Sequence, residues 1–96
     1  MQKTTITLAL IGKLVVAARS KTMDQTELGL RVGVGRNTIS SIENGKPVNS
    51  ETLFKVLEHF GLLDDLHALI ELKYTTQNNS LARKSRKGIP ELDNNF

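Results

Sequence analysis

Between residues 24 and 46 the chain reads DQTELGLRVGVGRNTISSIENGK, and no other stretch limits the fold so closely. Two short segments with apolar residues at helical spacing flank Gly33-Val34-Gly35, a link with room only for a tight turn between neighbouring helices. Asp24 opens the first segment with Glu27 three residues on, an Asp version of the capping box in which each side chain satisfies the other's unpaired N–H. Leu28 and Val32 face inward, and Gly33 ends this helix with a residue that tolerates positive φ. The second helix is predicted from about Arg36 to Glu43, with Ile39 and Ile42 buried and Asn44-Gly45 as its stop. Gly29 allows the two helices to approach, and Val34 and Ile39 lock the second against the first. Arg36, Asn37, Thr38, Ser40 and Ser41 are left on its free face.

The flanking segments extend the helical pattern. Leu8, Ile11, Val15 and Ala18 predict a helix from Ile6 to about Ser20, with Thr4 or Thr5 as its cap. Ser50 is expected to cap a fourth helix with Leu53, Phe54, Leu57 and Phe60 as its apolar stripe, ending at Gly61. A fifth is expected from Leu62 to Lys73, its start favoured by Asp64-Asp65 beside the positive end of the helix dipole. Ninety-six residues with 4% aromatics and two prolines suit one all-α domain better than a sheet. The expected architecture is five helices over 6–74 followed by a tail, 75–96, whose polar, Asn-rich and basic composition predicts disorder.

Composition also excludes functions. Without cysteine there is no disulfide frame, thiolate zinc site or Cys nucleophile. His59 and His67 fall on different predicted helices, and two ligands do not make a zinc site. Gly33-x-Gly35 lacks the preceding strand and third glycine of a nucleotide-binding loop. No nucleophile–base set stands out, so no enzyme, cofactor or metal is expected. The apolar start from Met1 to Val16 is interrupted by Gly12-Lys13, which argues against a signal peptide, and no stretch approaches the roughly 18 apolar residues of a membrane span. A cytoplasmic, nucleoid-associated location in a bacterial or phage-like setting is the expectation. The net charge of +3 is uneven: residues 1–49 carry seven Lys/Arg against three acids, and residues 50–80 carry two against five. A basic half suits a polyanion, and an acidic segment suits a different surface.

Two short helices around a tight glycine turn, the second with a small polar outer face, form a helix-turn-helix arrangement. Residues 11–70 resemble the Cro/repressor type of helix-turn-helix, the XRE family. The resemblance rests on Gln25, Glu27, Leu28, Gly29, Gly33, Val34, Ile39, Ile42, Glu43, Asn44, Gly45 and Lys46 in register. Ile11-Gly12, Val15 and Arg19 match the family's first helix, with one residue fewer than usual between Arg19 and Gln25. The resemblance implies a five-helix repressor-like fold, double-stranded DNA as ligand, and an internal ion pair between Arg19 and Glu43.

Within that frame Arg36 is a candidate for bidentate contact to guanine, Asn37 to adenine, and Ser41 to either base more weakly. Their plainer alternatives are a phosphate contact or solvated charge for Arg36, a local cap for Asn37 and a space-filling role for Ser41. Gln25, at the start of the second helix, is a candidate phosphate contact, and Thr38, Asn44, Lys46 and Asn49 line the same edge. Leu63, Leu66, Leu69 and Ile70 are candidates for a dimer contact; the alternative is that they close the monomer's own core.

The C-terminal half, with Gly61-Leu62-Leu63-Asp64-Asp65-Leu66, Ala82-Arg83-Lys84-Ser85-Arg86-Lys87 and Pro90 to Phe96, is similar to the DNA-binding partners of HipA-type kinase toxins. That similarity implies an antitoxin that binds a kinase toxin and represses its own operon. The expected function is therefore a dimeric repressor on a palindromic operator, as such an antitoxin. The alternatives are a stand-alone or phage regulator, and a helical interaction module for a kinase-like partner with incidental DNA contact.

Overall fold

The computed structural model describes residues 2–85, and their side chains as far as Asn78. Five helices and no strand occur among them: α1 (Lys3–Arg19), α2 (Gln25–Val32), α3 (Arg36–Glu43), α4 (Ser50–His59) and α5 (Leu63–Ser85). The chain divides after Leu63 into two units.

In the first unit α3 packs on both α1 and α2, and α2 also meets α4. Val15, Leu28, Ile39, Ile42, Val56 and Leu57 form the buried core, with Ile11, Met23, Val32, Val34, Val48, Leu53, Phe60, Leu62 and Leu63 packed around it. Gly12 sets the closeness of α1 to α3: a Cβ there would lie 2.6 Å from the carbonyl oxygens of Ile42 and Glu43. Only a bare backbone fits, and α1 thereby supports the C-terminal end of α3. Gly29 plays the matching part against the turn, since its Cβ would lie 2.6 Å from the Val34 carbonyl oxygen.

The turn itself follows the sequence closely. The Asp24 side chain accepts from the Glu27 N–H at 2.8 Å. The Glu27 carboxylate does not return the bond; it accepts from Arg31 one turn on, at 2.9 Å, so the capping box is half formed. Gly33 has φ +80°, and its N–H and that of Val34 both donate to the Gly29 carbonyl. This left-handed residue is what turns the chain from α2 into α3.

Four expectations are corrected. α1 begins at Lys3, and its first residues, Thr4 and Thr5 among them, lie inside the helix; Gln2 is its N-cap and makes no side-chain capping bond. Asn49, not Ser50, caps α4: its Oδ1 accepts from the N–H groups of Glu51 and Thr52, two orphan donors on one oxygen. On α4, Val56 joins Leu57 in the core, whereas Phe54 points to solvent. Finally, α5 continues past Lys73 to Ser85, so residues 75–85 are helical; residues 86–96 of the expected tail lie outside those described.

Within its own unit α5 has an acidic first turn, Asp64 and Asp65, and a half-buried Leu66. Leu69, Ile70 and Leu72 are exposed. Leu63, grouped with these residues on sequence, instead packs against the core of the first unit.

Candidate nucleic-acid interface

The free face of α3 follows from its buried one. Ile39 and Ile42 occupy adjoining positions on the inner side, so Asn37, Ser40, Ser41 and Asn44 fall opposite. Arg36, Asn37 and Asn44 are exposed, and Thr38, Ser40 and Ser41 are half-buried. The Asn44 amide donates to the Ser40 hydroxyl at 3.4 Å, one turn apart on that face. Polar groups of both donor and acceptor type are therefore presented from a helix held rigidly from behind.

Beside α3 lies an open cavity of about 320 Å³ lined by Asn37, Thr38, Ser41, Pro47, Val48, Asn49 and Thr52. It brings four of the candidate residues together: Asn37, Thr38, Ser41 and Asn49. Arg36, Gln25, Asn44 and Lys46 do not line it. Pro47, Val48 and Thr52 were not singled out from sequence, because they sit in a loop and a first helical turn with no pattern of their own. Asn49 spends its carbonyl oxygen on the α4 cap, which leaves its amide N–H groups for an acceptor such as phosphate. Lys46 is exposed in the loop, its N–H bonded to the Ser41 carbonyl at 2.9 Å.

Behind the face lies a polar cluster that ties three helices together. The Arg19 guanidinium donates to both Glu43 oxygens, through Nε to Oε2 and through Nη2 to Oε1 at 3.1 Å. Its Nη1 donates to the Met23 carbonyl at 3.0 Å, which anchors the link from α1 to α2 despite that link's shortness. Gln25 Nε2 also donates to Glu43 Oε1, at 2.8 Å. The side chains of Arg19 and Glu43 are 14% and 5% exposed. The single acid of α3 is thus withdrawn from the surface and neutralised by its partner. Gln25, expected on sequence to reach phosphate, is found spending one amide N–H inward. Its second N–H remains for an outside acceptor. Nothing local in the sequence signals this bond, since Gln25 and Glu43 are 18 residues apart.

Among the described residues no group of His, Asp or Glu could hold a metal ion, and no helix is long and apolar enough to cross a membrane.

A short, glycine-turned pair of helices carrying an acid-free polar face on the second, in a chain whose described residues hold five helices and no strand, defines a helix-turn-helix protein. Comparison with known families agrees: the model described as "Helix-turn-helix" matches residues 17–64, half of the chain. The chain belongs to this family, the XRE-type helix-turn-helix, with its all-α Cro/repressor-like fold. Its class is that of DNA-binding transcription regulators, a binding family and not an enzyme family. No curated protein and no solved structure gave a match.

Proposed function

We propose that the protein is a sequence-specific repressor that binds a palindromic operator as a dimer. The observation that carries this reading is the outer face of α3, where Arg36, Asn37 and Ser41 stand free of any acid because Glu43 is turned inward onto Arg19. In this arrangement the N-terminal half of α3 enters the major groove, Arg36 and Asn37 read base edges, and Ser41 one turn on adds a weaker contact. Thr38, Asn44, Lys46, Asn49 and the free N–H of Gln25 hold the flanking phosphates, fixing register without reading sequence. One such helix reads few base pairs, so tight binding calls for two copies, and the exposed Leu69 and Ile70 with Leu66 of α5 are the contact we assign to that dimer.

The antitoxin role is the finer form of this reading. It is supported by the Gly61–Leu66 motif, whose Leu63–Leu66 portion opens α5, and by the composition of the basic tail. The test is selection of duplexes from a random pool with the full chain, followed by footprinting. The expected product is two inverted half-sites with centres roughly 10 bp or a multiple apart. A protected site with one asymmetric half and one bound protomer would overturn the dimeric repressor.

A further inference from the structure

Glu43 ends the helix that faces DNA, and a carboxylate close to phosphates repels them. Its side chain is 5% exposed, and both of its oxygens are engaged. Arg19 donates to each, through Nε to Oε2 and through Nη2 to Oε1, while Arg19 Nη1 is held by the Met23 carbonyl. The carboxylate is therefore fixed in orientation as well as neutralised, by a guanidinium anchored at all three of its nitrogens. An ion pair that served only to keep an acid off the surface would need nothing more. Yet Oε1 accepts a further bond, from Gln25 Nε2 at 2.8 Å.

That bond decides which way Gln25 points. A side-chain amide has an oxygen on one side and an NH2 on the other, and an ionised carboxylate can only accept. Nε2 is thus the atom turned to Glu43, and Oε1 is turned from it. The planar amide then fixes the direction of the second N–H on the same nitrogen. Gln25 is the first residue of α2 and half-buried. A glutamine free at this place would give up its rotamer freedom when phosphate arrived; held by Glu43, it has given that up on folding.

We propose that Glu43 is a positioning residue for DNA binding: anchored by Arg19, it presets the Gln25 amide for phosphate. This rests on the phosphate role given to Gln25 above, and it assigns a buried acid a part in affinity besides stability.

The experiment is titration of the full chain with the duplex recovered by selection, as a double-mutant cycle between Glu43→Gln and Gln25→Ala, with circular dichroism on the same samples. Glu43→Gln is nearly isosteric but offers one acceptor oxygen where the carboxylate offers two, so it cannot serve both Arg19 and Gln25. It also removes a negative charge, which by charge alone would tighten binding. Positioning predicts the opposite sign, about five-fold weaker binding at unchanged helix content. Glu43→Asp keeps the charge and the partner of Arg19 but is one methylene short of Gln25, and should weaken binding likewise. Gln25→Ala should weaken the wild type roughly ten-fold, as for a hydrogen bond to a charged group, but either Glu43 variant by no more than about two-fold. Lys46→Ala, outside the cluster, should weaken every background by the same factor. Tighter or unchanged binding by both Glu43 variants overturns the proposal. So does a ten-fold loss from Gln25→Ala in every background, the mark of an acid that serves the fold alone. If Gln25→Ala leaves wild-type binding unchanged, the phosphate role of Gln25 falls and the positioning with it, while base reading by α3 stands. A wild type that binds no duplex overturns the repressor as well.

Discussion

Glu43→Ala should be among the most damaging single changes on the polar side of this protein. The substitution removes the acceptor of three hydrogen bonds, two from Arg19 and one from Gln25, and strands a guanidinium whose side chain is only 14% exposed. Removing one partner of a fully buried ion pair costs about 3–5 kcal/mol. Here Arg19 keeps its bond to the Met23 carbonyl and has a rim open to water, so about 2–3 kcal/mol is the expected loss. With a urea dependence of about 1 kcal/mol/M for a domain of this size, the unfolding midpoint should fall by about 2–3 M. The double variant Arg19→Ala with Glu43→Ala should be less destabilised than the sum of the two single changes, since it leaves no charge unpaired. Urea unfolding of the four proteins, followed by circular dichroism, completes the cycle. If Glu43→Ala costs less than about 0.5 kcal/mol, as an exposed surface pair would, or if the two changes are simply additive, the cluster does not tie the helices as argued.

Three further outcomes follow from the same geometry. Gly12→Ala should lower the melting temperature by several degrees, because a methyl 2.6 Å from two backbone carbonyls costs about 2–3 kcal/mol, against the ~1 kcal/mol that alanine gains in helix propensity. Asn49→Ala should cost about 1 kcal/mol through loss of the α4 cap while Asn49→Asp keeps it, read from thermal melts of both. Lys46→Ala should weaken all duplexes alike and reduce the log–log salt slope of binding by about 0.9, measured by titration at several salt concentrations.

The parts of this fold that are legible in sequence are those set by neighbours in the chain. Asp24, Gly33 and Asn44-Gly45 fix the ends of α2 and α3 because caps and turns act over three or four residues. The misplaced α4 cap shows the limit of that logic: Asn49 and Ser50 are both good caps, and only the backbone decides which one has the extended conformation. Val56 rather than Phe54 faces inward because both neighbour Leu53 and Leu57 on the wheel, and the choice belongs to what packs across from α4. The length of α5 escaped a composition argument. Of Thr75 to Ser80 all but Gln77 are weak helix formers, yet no glycine or proline interrupts residues 62–87 to stop the helix. The site divides similarly. The outer face of α3 can be read from its periodicity, whereas the bond from Gln25 to Glu43 and the part of Pro47, Val48 and Thr52 in the cavity depend on tertiary placement.

The central claim is that α3 reads bases through Arg36 and Asn37. Parallel duplex selections with the wild type, Arg36→Ala and Asn37→Ala test it most directly, because both side chains are exposed and their loss should leave the fold intact. Each variant should lose preference at one or two operator positions, a different set for each, by about 1–3 kcal/mol per position, with the remaining preferences unchanged. Identical base preferences in all three selections, with affinity reduced evenly across sequences, would contradict the account and reduce both residues to backbone contacts.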